Sequence, residues 1–133
     1  MIRIQNSSEY RIAIDKMAFY RSDEANTRRQ MEECGELTRA ANKMLRSVKG
    51  EDDEKIDPET ARKNLVEEMA DVMICADVLR SIYSISDTEM DSAIIEKVML
   101  DLNRMKIPER KAEDDQIMKA FAAARECCGG CVD

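Results

Sequence analysis

Four stretches of this chain place apolar residues three and four positions apart, and almost nothing inside them would interrupt a helix. From residue 60 to about 83, Leu65, Met69, Val72, Met73, Ala76, Leu79 and Ile82 form a stripe wide enough to bury a helix on more than one side, which predicts a central helix. Met31, Leu37, Ala40, Ala41, Met44, Leu45 and Val48 recur in the same way over 24–48. Ile12, Ile14, Met17, Ala18 and Phe19 supply the apolar side of a shorter helix ending near Tyr20. Met90, Ile94, Ile95, Val98, Met99, Leu102 and Met105 do so for a fourth, to about Lys106. Four Gly, two Pro and no Trp against ten Met leave few turn or strand signals, so the chain reads as all-α.

Helix punctuation supports these limits. Ser7 or Ser8 can cap the first helix, Ser22 or Asp23 the second, and Ser86 or Asp87 the fourth, since each side chain can accept a first-turn N–H. The second helix should end at Lys49-Gly50, and Asp57-Pro58-Glu59 reads as an N-cap followed by proline at the first helical position. Pro108 breaks the fourth helix, and a last one, 112–125, is stopped by Gly129-Gly130. A length of 133 residues suits one domain, with a core over about 8–106 followed by the C-terminal helix and a cysteine-rich tail over about 108–133.

Two doubled-acid motifs interrupt the apolar stripes. Glu32-Glu33-Cys34-Gly35-Glu36 and Glu67-Glu68-Met69-Ala70-Asp71 both fall in mid-helix. Acidic pairs on helices are mostly solvated faces. Here the carboxylates repel at i, i+3 and i, i+4, the helix dipole reaches only about one terminal turn, and neither motif contains a Lys or Arg. Leu37, Leu65, Met69 and Val72 also set the acids beside the core, where unpaired charge is costly. A hard divalent cation relieves the conflict: Glu33 with Glu36, and Glu68 with Asp71, each project from one helix face and can close four oxygen ligands around Mg²⁺, or Mn²⁺.

The absence of histidine argues against di-iron bundles with a Glu-x-x-His element and against zinc hydrolases. The acidic 52–59 linker lacks the glycine of a calcium loop. A net charge of −7 opposes nucleic-acid binding. The longest apolar run, 72–76, is far short of a membrane span, no secretory leader precedes Ser8, and cysteines placed within helices suit a reducing compartment, so no membrane partner and a cytoplasmic location are expected. Cys34 and Cys75 are expected to pack as small hydrophobes. Cys127, Cys128 and Cys131 lack a fourth zinc ligand nearby and read as a thiol-bearing tail.

Glu33-x-x-Glu36 followed by Leu37, then Glu68-x-x-Asp71 followed by Val72, resembles the signature of the all-α nucleoside triphosphate pyrophosphohydrolases of the MazG-like and dimeric dUTPase-like family. The intervening 37–67 stretch is somewhat long, and the 49–59 linker accounts for it. The family carries Lys-x-x-x-Asn-x-x-Arg on the next helix; Lys97, Asp101 and Arg104 stand at that spacing, with Asp101 in place of Asn. The resemblance covers about 10–104. It implies a four-helix-bundle-like domain, here with an additional C-terminal helix, assembled as a homodimer or homotetramer. It also implies Mg²⁺-dependent cleavage of a (d)NTP to the monophosphate and pyrophosphate. In that reading Glu33, Glu36, Glu68 and Asp71 hold the metal, Glu32 or Glu67 orients the attacking water, and Lys97 and Arg104 bind the triphosphate. Without it, Lys97, Asp101 and Arg104 read as a solvated salt-bridged face. Two alternatives stand beside this reading: a non-catalytic helical interaction protein, and a phosphoribosyl-ATP pyrophosphohydrolase-like enzyme.

Overall fold

The computed structural model describes residues 3–50, 56–105 and 111–129, with side chains described at 4–50, 56–105, 113 and 115–124. All described secondary structure is helical: a 3₁₀ turn at Arg3–Asn6, then α1 (Ser8–Tyr20), α2 (Asp23–Lys49), α3 (Pro58–Ile82), α4 (Asp87–Arg104) and α5 (Lys111–Gly129). The anticipated stops at Pro108 and Gly130 lie outside the described residues. So do residues 52–55 of the linker, Cys131, and the side chains of Cys127 and Cys128. No described helix is long and apolar enough to cross a membrane.

Short-range chemistry sets the helix ends. The Ser7 hydroxyl accepts from the Tyr10 N–H at 3.1 Å, Ser22 from Ala25 at 3.1 Å, and the Asp57 carboxylate from Thr60 at 3.1 Å with Pro58 opening α3. At α4 the Ser86 hydroxyl accepts from the Glu89 N–H while the Glu89 carboxylate accepts from the Ser86 N–H, a reciprocal capping box. The donation from the Ser86 backbone foremost, and then that from the Ser86 hydroxyl to the same carboxylate, hold the Glu89 carboxyl below its ordinary range. Gly50 closes α2 at φ +68°, a left-handed conformation that glycine adopts without a Cβ penalty.

The chain divides into two compact units, Met1–Ser84 and Ile85–Asp133. In the first, α3 packs against both α1 and α2, as its wide stripe anticipates. The α1 side is apolar: Ile14, Ala18 and Val78 are buried together, with Tyr10, Ile74 and Ile82 against them. Buried Asn26 fixes the corner between α1 and α2, its amide donating to the carbonyls of Ala18 and Arg21. Helices α2 and α3 run antiparallel, since Thr27 meets Tyr83 through their hydroxyls at 3.0 Å while Glu33 and Glu36 meet Glu68. The shielded α2 positions include Asn26, Arg29, Gln30, Glu33, Leu37, Ala40, Met44 and Ser47, about 3.5 residues apart, the period of a seam between two long helices. In the second unit α4 packs against α5, with Ile95 buried.

The apolar stripes are less buried than the spacing suggests. On α1 only Ile14 and Ala18 are enclosed, while Ile12, Met17 and Phe19 are exposed, Phe19 at 89%. Met31, Leu45 and Val48 of α2, Met69 of α3, Ile94 of α4 and Met105 at its C-cap are exposed as well. The physical reason is geometric: one neighbouring helix covers roughly a third of a helix's circumference, whereas these stripes are wider. Cys75 is a buried free thiol, but Cys34 is exposed rather than packed, because its neighbours Glu33 and Leu37 take the seam.

Candidate metal centre

Glu33 and Glu36 stand one turn apart on α2, and Glu68 faces them from α3. One carboxylate oxygen from each lies within 4.8 Å of the other two. The site is therefore built by the helix period on one side and the antiparallel register on the other. Glu33 is the most enclosed of the α2 pair, its side chain 15% exposed against 50% for Glu36. Position 33 lies on the seam, where coiled helices ordinarily place an apolar residue.

Glu68 is half-buried, and its Oε2 atom is shut off from solvent with no hydrogen-bond partner among the described residues. Its carboxyl is pushed above the ordinary range, first by burial and then by the charges of Glu36, Asp71 and Glu33, with Arg39 opposing. A carboxylate oxygen without a donor is costly to enclose, and a cation with oxygen ligands is the partner its chemistry accepts.

The other sequence-predicted residues are placed as follows. Asp71 is half-buried one turn beyond Glu68 and outside the tight trio, though close enough to act electrostatically on Glu68 and Arg29. Glu32 is exposed on α2. Glu67 is exposed on α3 and pairs with Lys63 at 4.0 Å. Lys97 and Arg104 belong to α4, in the second unit, and both are exposed. Arg104 pairs with Asp101 at 3.9 Å, the solvated ladder of the plainer alternative, a contact that contributes little by itself.

Several neighbours were not anticipated. The motifs contain no cation, yet the helix supplies cations from adjoining turns: Arg29 Nε donates to Glu33 Oε1 at 3.2 Å, and Arg39 Nη2 lies 3.3 Å from Glu36 Oε1. Counting i−4 and i+3 from each acid would have found both. Buried Cys75 is also near this centre: burial raises its thiol pKa first, Arg29 opposes, and Glu33 and Asp71 add to the rise. Gln30 is half-buried on the same helix, with its Oε1 lacking a partner among the described residues. Comparison with known proteins adds no relative, since no family model, no curated protein and no solved structure matches the chain.

Proposed function

We propose that the chain is a Mg²⁺-dependent nucleoside triphosphate pyrophosphohydrolase of the MazG-like kind, cleaving a (d)NTP to the monophosphate and pyrophosphate. The observation that carries this reading is the convergence of Glu33, Glu36 and Glu68 across the α2–α3 seam, with one Glu68 oxygen enclosed and unpartnered. The donor set suits the ion: it is all carboxylate oxygen, and the chain has no histidine. Glu33, Glu36 and Glu68 would hold the metal, and Asp71 would complete the set from the next turn of α3. When bound, Mg²⁺ supplies neutralisation of the triphosphate and activation of a water.

The protein's own groups do the rest. Glu32 and Glu67 each adjoin a proposed ligand and reach solvent, where a carboxylate can orient the attacking water. Lys97 and Arg104 share one face of α4 at the spacing that the resemblance gives to triphosphate-binding residues. Exposed apolar side chains, among them Phe19, Tyr20 and Met31, favour a MazG-type bundle whose core a second protomer completes, in a cytoplasmic homodimer or homotetramer.

The test is pyrophosphate release from a panel of standard and modified (d)NTPs with Mg²⁺ or Mn²⁺. Turnover that Glu36→Gln or Asp71→Asn abolishes, with helical signal and oligomer size intact, supports the reading. No release from any nucleotide sinks it. The same exposed apolar residues also favour a second reading, a non-catalytic helical interaction protein, which binds no nucleotide in a magnesium-dependent way.

A further inference from the structure

Arg29 stands one turn before Glu33 on α2 and donates through Nε to Glu33 Oε1 at 3.2 Å. Its side chain is 40% exposed, against 72% for Arg39, the other cation paired to this cluster, so Arg29 lies within the seam and Arg39 on its rim. The bond to Glu33 foremost holds the guanidinium pKa above its ordinary value; partial burial opposes, while Cys75, Glu33 and Asp71 add their attraction. The positive charge therefore sits where the acids of α2 and α3 converge. Three carboxylates this close repel one another in a half-buried seam, and Arg29, paired to Glu33 and more enclosed than Arg39, offsets them.

We infer that Arg29 is the resident counter-ion of the Glu33, Glu36 and Glu68 cluster, and that a divalent cation competes with it for Glu33. The inference rests on reading that cluster as a divalent-cation site. A metal ion entering there meets a positive charge already in place and a Glu33 oxygen already engaged. Removing the guanidinium removes that repulsion and frees the oxygen, which strengthens divalent binding about tenfold for a unit charge roughly 6 Å away in a water-like medium. The consequence is functional: Arg29 keeps the acids together without metal, and once released from Glu33 it is a cation free to meet the phosphate that arrives with the ion.

The test is Mn²⁺ binding to the full chain at low salt, followed by the loss of the free-ion paramagnetic signal, for wild type, Arg29→Gln, Arg29→Met and Arg29→Lys. Arg29→Gln and Arg29→Met should bind Mn²⁺ about tenfold more tightly, a gain that shrinks in high salt, while Arg29→Lys stays near wild type. The gain should shrink when Glu33→Gln is already present, because the part that comes from freeing the Glu33 oxygen is then absent and only the removed charge repulsion remains. Charge-removing variants that bind Mn²⁺ equally or more weakly, or an Arg29→Lys that behaves as they do, overturn the inference alone. Wild-type protein that binds no Mn²⁺ overturns the cation-site reading and the inference with it.

Discussion

Asp77 and Glu68 are both half-buried carboxylates on α3, nine residues and so about half a turn of azimuth apart, yet their surroundings are opposite. Asp77 is saturated: Tyr10 Oη donates to its Oδ2 at 2.8 Å, Gln5 Nε2 to the same oxygen at 3.0 Å, and Arg80 Nη1 to its Oδ1 at 3.2 Å. Glu68 faces two other glutamates, and its enclosed Oε2 has no donor among the described residues. One face of the helix spends its acid on tying the N-terminal segment and α1 to α3. The other turns Glu68 towards two glutamates and leaves one of its oxygens without a donor among the described residues, and that difference marks where a ligand belongs.

The largest effect expected from this contrast is on activity. If the proposed metal site holds, Glu36→Gln or Asp71→Asn should lower pyrophosphate release by at least about 100-fold while far-UV helicity persists, because the groups lost would be metal ligands and not packing. Asp77→Ala should do the reverse: it should leave metal affinity in place and cost about 2 kcal/mol in denaturant unfolding, since it takes the acceptor from the Tyr10 hydroxyl and the Gln5 amide. If Asp77→Ala instead weakens Mg²⁺ binding as strongly as Asp71→Asn does, the division of labour between the two faces fails.

Tyr10 gives the saturated face a pH signature. Burial first, then the hydrogen bond and charge of Asp77, raise its hydroxyl pKa from 10.0 to about 12, with Gln5 and Arg80 opposing. The fold thus favours the neutral phenol. Its stabilisation is complete below the unfolded value and is lost as pH rises through about 12. Melting temperature should therefore fall from about pH 10 upward, and Tyr10→Phe, costing about 1 kcal/mol at neutral pH, should lack that component. A Phe variant with the same alkaline fall would assign it elsewhere. The smallest effect belongs to Glu68→Gln without metal: relief of like-charge repulsion should leave the denaturant midpoint at or slightly above that of wild type. A loss as large as that of Asp77→Ala would mean that Glu68 is satisfied after all.

What the sequence disclosed follows the range of the interactions. The helix limits were readable because Ser7, Ser22, Asp57 with Pro58, Ser86 and Gly50 act on backbone groups within three or four residues. The acid trio was readable because i, i+3 spacing fixes Glu33 beside Glu36, and the paired motifs pointed to Glu68. The tie from Gln5 and Tyr10 to Asp77 spans about 70 residues and leaves no local trace. Nor does the choice of Ile14 and Ala18 over Ile12 and Phe19 for the α1 core, which depends on where α3 lies. Arg29 was legible in principle, four residues before Glu33, but a motif confined to five residues excludes the turn that supplies it.

On the proposed reading, the face of α3 that carries Glu68 is a magnesium site for a triphosphate. Calorimetric titration of a nucleoside triphosphate into the protein, with and without Mg²⁺ and repeated on Glu68→Gln, addresses it most directly. The account predicts nucleotide binding by wild type only when Mg²⁺ is present, and none by the folded variant. Binding that ignores magnesium, or that Glu68→Gln retains in full, would contradict it.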